Sequence, residues 1–216
     1  MKLVVIGAGG HAKVVVDAAE RSGWNLYGLL DVDASRHGEP FLTTAIRGGD
    51  ELLPRLKDEG ATHFIVGIGS VGNPVARMRA FAAGIAAGLE PAVVIHPSAV
   101  VAASAQIGGG TLVAAGAVVN PSVRVGQNVI VNTQALVEHD AEVGSHAHLA
   151  PGCRVLGGCE IGDRSHIGAG AIVLQGVRVG SDVMVAAGAV VLGDVPDGAT
   201  VMGVPAKQRG NSGSGS

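Results

Sequence analysis

Aromatic side chains are scarce in this sequence, and they are confined to one part of it. Among 216 residues there are one Trp, one Tyr and three Phe. All five precede residue 93: they are Trp24, Tyr27, Phe41, Phe64 and Phe81. This asymmetry predicts a boundary near Glu90-Pro91, with an ordinary small globular domain before it and a unit built from Val, Ala and Gly after it.

Other absences exclude whole classes of function. The 15 basic and 18 acidic residues give a formal net charge of −3, and no basic run stands out, which argues against a nucleic-acid-binding surface. Glycine interrupts the longest apolar stretches, so no segment is expected to span a bilayer. The apolar start, residues 1–6, is broken by glycines too early for a signal peptide. We therefore expect a cytoplasmic protein that begins with a β-strand.

The second half of the chain contains instead an aliphatic residue at every sixth position, seventeen times without interruption. A second, mostly small residue recurs four places after each of them. No α-helix keeps one face at this period, whereas a triangular solenoid of short parallel strands does, with six residues per side and eighteen per coil. We call the aliphatic positions the rung residues: Ile95, Val101, Ile107, Val113, Val119, Val125, Val131, Val137, Val143, Leu149, Val155, Ile161, Ile167, Val173, Val179, Val185 and Val191.

The eighteen-residue coil makes further predictions. Residues eighteen apart should stack on adjacent coils, about 4.7 to 4.9 Å from each other. Both cysteines, Cys153 and Cys159, occupy the small interior position, so we expect reduced thiols with no disulfide or metal role. A glycine follows every third rung and is expected to permit a tight corner: these are Gly108, Gly126, Gly144, Gly162 and Gly180.

The first ninety residues alternate strand and helix patterns. We predict strands at 3–6, 26–30 and 63–66, and helices at about 12–21, 50–59 and 73–87. The first strand leads through Gly9-Gly10-His11 into a helix, and the second ends at Asp31. This order is typical of half a Rossmann-like unit, in which turn amides and a helix N-terminus face a phosphate. Its length favours a mononucleotide-type crevice over dinucleotide binding.

The loop after the third strand, which includes Gly69 and Ser70, is a second candidate wall of that crevice. The alternative is that these glycines serve turn geometry alone.

One six-residue unit of the repeat differs from its neighbours because it carries Glu138-His139-Asp140. An imidazole followed by a carboxylate supplies a base and a group that orients it. The alternative is a solvated, charged corner. Residue 157, one coil beyond His139, is a glycine, so a bare backbone N–H is predicted above the imidazole as an oxyanion donor. His148 and His166 are also eighteen apart and should stack on another line.

The repeat resembles that of the hexapeptide-repeat acyltransferases, whose domain is a left-handed parallel β-helix. Three further motifs narrow the resemblance to sugar acyltransferases with a Gly-rich N-terminal nucleotide domain, close to the sialic acid O-acetyltransferases. These motifs are Gly9-Gly10-His11, Asn132-Thr133 with Glu138-His139-Asp140, and Gly203-Val204-Pro205-Ala206. The expected fold is thus a small α/β Rossmann-like domain followed by a left-handed parallel β-helix, an all-β solenoid.

The resemblance implies an activity and its participants. The chain is expected to be an acetyltransferase that uses acetyl-CoA, with no metal, to N-acetylate the C4 amino group of a nucleotide-diphosphate-linked amino sugar. It is expected to form a homotrimer with acetyl-CoA in the groove between solenoids, and to have no nucleic-acid or membrane partner.

The resemblance also implies roles for individual residues. His139 would take a proton from the amine and Asp140 would orient the ring. The residues expected to line the acetyl-CoA and oxyanion site are Gly157, His148, Gln175 and His166. The residues expected to bind the nucleotide sugar are Gly9, Gly10, His11, Asp31, Gly69, Ser70 and Asn132.

The predicted organisation has four parts. They are a nucleotide-sugar-binding domain at 1–92, an acyltransferase β-helix at 93–196, a closing segment at 197–209, and a flexible tail at 210–216.

Three other functions stay open at this point. The acceptor can be a hydroxyl, as in sialic acid O-acetylation, because the same base serves either nucleophile. Some proteins of this fold are zinc hydratases with three histidines, a role for which His139, His148 and His166 are the candidates. A binding or scaffold protein that keeps the fold without activity is the third.

Overall fold

The computed structural model describes residues 1–209, so the predicted tail at 210–216 lies outside the described residues. The N-terminal domain is a six-stranded sheet with helices on both faces. Its strand order is β3-β4-β2-β1-β5-β6, parallel except for the β3/β4 pair. The strands are β1 (Lys2–Ile6), β2 (Asn25–Leu30), β3 (Pro40–Phe41), β4 (Thr44–Gly48), β5 (His63–Val66) and β6 (Glu90–Pro91). The helices are α1 (Gly10–Arg21), α2 (Leu53–Asp58) and α3 (Val75–Ala86), with 3₁₀ turns at Ala34–Arg36 and Asp50–Leu52.

The central strand β1 is apolar because both of its faces are buried. Leu3 and Val5 pack with α1, whereas Val4 and Ile6 pack with α2 and α3. The strands and helices that the sequence predicts are all present, with ends that differ by up to three residues. Several features were not predicted, including β6 and the 3₁₀ turn at Ala34–Arg36. The β3/β4 hairpin is too short for a clear alternation, and the predicted helix at 50–59 begins with a 3₁₀ turn because Pro54 fits only the first turn of the α-helix that follows.

The second half of the chain is a left-handed parallel β-helix, as predicted. Seventeen two-residue strands, β7 to β23, each end on a rung residue. The rung residues from Val113 to Val191 are buried, with 5% exposure or less. The strands are β7 (Val94–Ile95), β8 (Val100–Val101), β9 (Gln106–Ile107), β10 (Leu112–Val113), β11 (Val118–Val119), β12 (Arg124–Val125), β13 (Ile130–Val131), β14 (Leu136–Val137), β15 (Glu142–Val143), β16 (His148–Leu149), β17 (Arg154–Val155), β18 (Glu160–Ile161), β19 (His166–Ile167), β20 (Ile172–Val173), β21 (Arg178–Val179), β22 (Met184–Val185) and β23 (Val190–Val191).

Glycine plays a different role in the coils from the one expected. The glycines that follow every third rung do not have positive φ. A Cβ on Gly126 would lie 2.7 Å from the backbone N of Ser145, and one on Gly162 would lie 2.5 Å from the carbonyl C of Gly180. These positions are glycine because adjacent coils approach closely there. The positive φ of each of these corners falls two residues after the glycine, for example at Asn128 (52°) and Arg164 (61°).

The three sides of the solenoid differ in their outward side chains. We name the side of β7, β10, β13, β16, β19 and β22 the covered face, because Val94 and Leu112 there share a core with α1. The side of β9, β12, β15, β18 and β21 is the charged face, where Arg178 pairs with Glu160 at 3.0 Å. The side of β8, β11, β14, β17, β20 and β23 is the apolar face: its outward residues are Val100, Val118, Leu136, Arg154, Ile172 and Val190.

Arg77 of α3 joins the two domains. Its side chain is 1% exposed, and its guanidinium donates to the carbonyl oxygens of Asn128, His146 and Ala147 on the solenoid. Within residues 1–209 it has no carboxylate partner, and burial lowers its pKa to about 10. The fully buried positive charge therefore sits between the N-terminal domain and the coils.

The last described segment closes the covered face. Strand β24 (Thr200–Met202) pairs in parallel with β22, and β25 (Lys207–Gln208) pairs antiparallel with β24. Cys153 and Cys159 lie inside the coils as free thiols. No helix among residues 1–209 has the length and apolar character needed to cross a membrane.

Candidate active site

The imidazole of His139 lies at the corner between the apolar and charged faces. Its Nδ1 is 2.8 Å from Oδ2 of Asp140, and both side chains are more than half exposed. Asp140 has a φ of 60°, a conformation that Asp tolerates better than most residues. The hydrogen bond that His139 Nδ1–H donates to Asp140, assisted by the charges of Asp140 and Glu138, raises the pKa of His139 against the opposing effect of desolvation. Nδ1 is thus occupied, and Nε2 is the atom free to accept a proton.

Gly157 lies against the imidazole on the next coil, as the eighteen-residue spacing predicts. A Cβ at this position would be 2.8 Å from Cε1 and 2.9 Å from Nε2 of His139, so only glycine fits without moving the ring. The backbone of Gly158 donates to the carbonyl oxygen of His139 at 2.9 Å. Within residues 1–209 the N–H of Gly157 donates to no acceptor. Gln175 is exposed at the same corner one coil further.

The raised pKa of His139 predicts a pH dependence. A general base acts only when unprotonated, so the rate should fall as pH drops through the pKa of His139. In the Asp140→Asn variant the carboxylate that raises this pKa is gone, and the acid limb of the kcat/KM profile should move to lower pH. The rate on the plateau should also fall, because the ring loses the charge that stabilises its protonated form. A profile whose acid limb stays in place would show that another group titrates.

A cavity of about 400 Å³ lies at the carboxyl edge of the N-terminal sheet. The predicted residues Gly9, Gly10, His11, Asp31 and Gly69 all line it. Gly9 is the N-cap of α1, and Gly10 and His11, which line the cavity, are first-turn residues whose backbone N–H groups have no partner inside the helix and are available to an anion. We call this cavity the nucleotide crevice, after the ligand that the sequence predicts for these residues.

Asp31 is fully engaged by the protein around the nucleotide crevice. Its Oδ2 accepts from the backbone N of Ala8 at 3.2 Å and from Arg36 at 2.8 Å, and its Oδ1 accepts from the backbone N of Asp33 at 3.0 Å. The nucleotide contact predicted for Asp31 therefore competes with three existing hydrogen bonds.

A second cavity, of about 570 Å³, continues from His11 and Gly69 onto the covered face of the solenoid. We call it the acceptor cavity. The predicted residues Ser70, Asn132, His148 and His166 line it, together with apolar side chains: Val71, Ala150, Pro151, Met184 and Ala186. The two histidine rings meet edge to face, with centroids 4.8 Å apart, which confirms their predicted stacking.

The hydrogen bonds of His148 define its protonation. Its Nδ1 lies against the carbonyl oxygen of Ser70, and Nε2 is 3.1 Å from Nδ2 of Asn132. One nitrogen donates and the other accepts, which is the neutral tautomer. Burial lowers the pKa of His148 to about 3 and that of His11 to about 4, and the charge of Arg77 acts in the same direction on both. The acceptor cavity is therefore lined by neutral imidazoles.

The structure does not bring all predicted site residues together in one protomer. His139 and Gly157 lie at the corner between the apolar and charged faces, whereas His148 and His166 lie on the covered face. The three histidines of the zinc hydratase hypothesis thus do not converge within one chain. Among residues 1–209, no three His, Cys, Asp or Glu side chains are grouped as metal ligands.

Two residues at these cavities were missed in the sequence. Asp50 lines the nucleotide crevice, and Arg77 lowers the pKa of the cavity histidines. The pair Gly48-Gly49 before Asp50 is a turn signal that marks it, in retrospect, as a residue at a strand end. Arg77 has no such signal, because an arginine on a helix usually faces solvent.

Comparisons with known proteins identify the families to which the two parts of the chain are similar. Residues 2–82 match the family described as the PglD N-terminal domain, and residues 158–193 match the bacterial transferase hexapeptide family. A comparison with curated proteins finds no match. A histidine-to-asparagine variant of perosamine N-acetyltransferase from Caulobacter crescentus, solved with CoA and GDP-perosamine, is 36% identical with a TM-score of 0.92, and the match covers 98% of both chains.

A second solved structure is similar over nearly the same length. The acetyltransferase domain of PglB from Neisseria gonorrhoeae, in complex with acetyl coenzyme A, is 40% identical with a TM-score of 0.87, and the match covers 96% of this chain and 98% of that one. WeeI from Acinetobacter baumannii, 22% identical with a TM-score of 0.78 and covering 97% of this chain and 100% of its own, shares the fold.

Proposed function

Because this chain belongs to the hexapeptide-repeat acetyltransferases with a PglD-type N-terminal domain, we propose that it transfers the acetyl group of acetyl-CoA to the amino group of a nucleotide-diphosphate-linked amino sugar. The observation that carries the proposal is the His139 imidazole, held by Asp140 through Nδ1 and open at Nε2 beside Gly157. The C4 amino group is the acceptor that the family resemblance implies.

The proposed reaction is a direct displacement at the thioester. The sugar amine attacks the thioester carbonyl carbon, and Nε2 of His139 accepts the proton that the amine loses. The N–H of Gly157 donates to the oxyanion that forms. The tetrahedral intermediate then expels the CoA thiolate, which takes the proton back from His139. Asp140 stabilises the imidazolium between these two steps.

We propose a homotrimer with composite active sites. The base at the corner of His139 and the acceptor cavity on the covered face belong to different sides of one solenoid, so a partner protomer must bring them together. The apolar face, including Val100, which is 62% exposed, is the side left for that contact. The sequence predicted exposed apolar faces in general, but one of the three is covered and one is charged.

The remaining predictions rest on the same arrangement. Acetyl-CoA would run along the groove between protomers past Gly157 and Gln175, and His148, His166 and Asn132 would shape the far side of the acceptor site. A cytoplasmic location stays a prediction of the sequence.

The test is an acetyl-transfer assay with GDP-, UDP- and dTDP-linked 4-amino sugars. We expect release of CoA thiol to match the formation of an N-acetyl sugar nucleotide by mass spectrometry, with no loss of rate in EDTA. Free sialic acid serves as the competing acceptor. Transfer to sialic acid alone, or no transfer to any amino sugar, would contradict the proposal.

A further inference from the structure

The strand order of the N-terminal sheet places the polar groups of the nucleotide crevice in a row. At its carboxyl edge, β5 is followed by the loop with Gly69, β1 by the glycine turn, β2 by Asp31, and β4 by Asp50. The β5 loop touches the acceptor cavity, and the glycine turn offers free amides to a diphosphate. In a sheet of this type the acid after the second strand lies near the ribose. The base of a bound nucleotide would therefore lie beside Asp50.

The two carboxylates of the crevice differ in their partners. Asp31 accepts three hydrogen bonds from the protein, whereas the side chain of Asp50 is half-buried and, within residues 1–209, takes part in no hydrogen bond or ion pair. Among residues 1–209, no Lys or Arg side chain lines the crevice. Burial, with added repulsion from Glu51 and Asp31, raises the pKa of Asp50. Both oxygens of the Asp50 carboxylate are therefore available to accept hydrogen bonds from a ligand.

We propose that Asp50 reads the base of the sugar nucleotide and selects guanine over uracil and thymine. The inference rests on the proposed function, because it assigns the base of the same nucleotide sugar.

The selectivity follows from the hydrogen-bonding edges of the bases. An ionised carboxylate only accepts, and its two oxygens match two adjacent donors. Guanine offers such a pair in its N1–H and exocyclic N2–H. Uracil and thymine offer one N3–H between two carbonyl oxygens. The negative partial charge of such a carbonyl oxygen would repel the second oxygen of the carboxylate. A ligand that leaves a polar group of the site buried and unpaired is rejected more strongly than one that only fits a hydrophobic pocket poorly.

Two aliphatic side chains complete the base site. Val32, which is 82% exposed, and Ile68 both line the crevice and can cover the faces of a planar ring. Such contacts are equally favourable for any base. Selection among bases therefore depends on the hydrogen bonds that Asp50 makes with the polar edge of the base.

The test measures binding of GDP, UDP and dTDP by titration calorimetry to the full-length protein and to Asp50→Asn. The native protein is expected to bind GDP about 10- to 100-fold more tightly than UDP or dTDP. In Asp50→Asn the amide keeps one acceptor but turns its NH₂ toward the second N–H of a guanine bound through N1–H and N2–H, whereas it matches N3–H and a carbonyl of uracil. The variant should therefore lose about 10-fold or more in affinity for GDP and keep or gain affinity for UDP.

Asp58→Asn, an exposed carboxylate on α2, is the matched control and should bind all three nucleotides as the native protein does. Equal native affinity for GDP and UDP, or an unchanged GDP preference in Asp50→Asn, would overturn the inference. Either result alongside normal acetyl transfer leaves the proposed function intact. Failure of native protein to bind any of the nucleotides and to acetylate any amino sugar would remove both.

Discussion

Replacement of His139 by Ala is expected to lower kcat about 10²- to 10⁴-fold. The variant loses the imidazole whose Nε2 lies beside Gly157. No side chain then accepts the proton that the amine must lose when it attacks the thioester. The side chain is exposed at a corner, and its removal leaves no cavity in the coils. Folding should therefore be unaffected, and the KM for acetyl-CoA should change little. Steady-state kinetics with circular dichroism as a check on folding measures both.

His63→Gln is the matched control for the loss of a histidine. This residue lies at the start of β5, the opposite end from the nucleotide crevice, and packs on Trp24. Its replacement should leave kcat near the native value. If kcat of His139→Ala stays within about threefold of the native value, the loss is far smaller than that expected for a general base, and the assignment is contradicted.

Mixing two inactive variants is expected to restore activity if the site is composite. His139→Ala lacks the base, whereas Gly10→Asp places a negative charge at the helix N-terminus where the diphosphate would bind. Gly10 has open space around a Cβ, and an acid in the first helical turn is compatible with the fold. In trimers assembled at random, about one quarter of the sites would combine an intact base from one protomer with an intact crevice from another.

Co-expression of the two variants, followed by the acetyl-transfer assay, measures this recovery. Gly10→Asn adds nearly the same bulk without the charge and should retain much more activity than Gly10→Asp. The comparison separates charge repulsion of the diphosphate from steric crowding by the side chain. Co-expressed variants no more active than either alone would place the whole site in one protomer and remove the composite arrangement.

Much of the solenoid was predictable because its contacts obey a fixed spacing. A parallel strand stacked on the next coil always meets the residue eighteen positions away, as Leu136 meets Arg154. The same spacing predicted that Gly157 lies over His139 and that His148 lies beside His166. The hydrogen bond between His139 and Asp140 was also predictable, because the two residues are adjacent in the chain and share one corner.

The acceptor cavity was less predictable, because its walls come from distant segments. His148 and Ser70 are seventy-eight residues apart, and no repeat relates them. The charge of Arg77 reaches the cavity histidines only because α3 is docked on the coils. The base-reading role inferred for Asp50 depends on its place beside Asp31 at the sheet edge, which follows from the pairing of β2 with β4 rather than from local pattern.

The amino-acid order alone was sufficient for the coil, its interior residues and the place of Gly157 over His139, because these depend on a short period repeated along the chain. The docking of the N-terminal domain was needed to establish which face is covered, which histidines are held neutral and which carboxylate is left without a donor. Those properties depend on burial and on charges brought together from far apart in the sequence, and no local pattern encodes them.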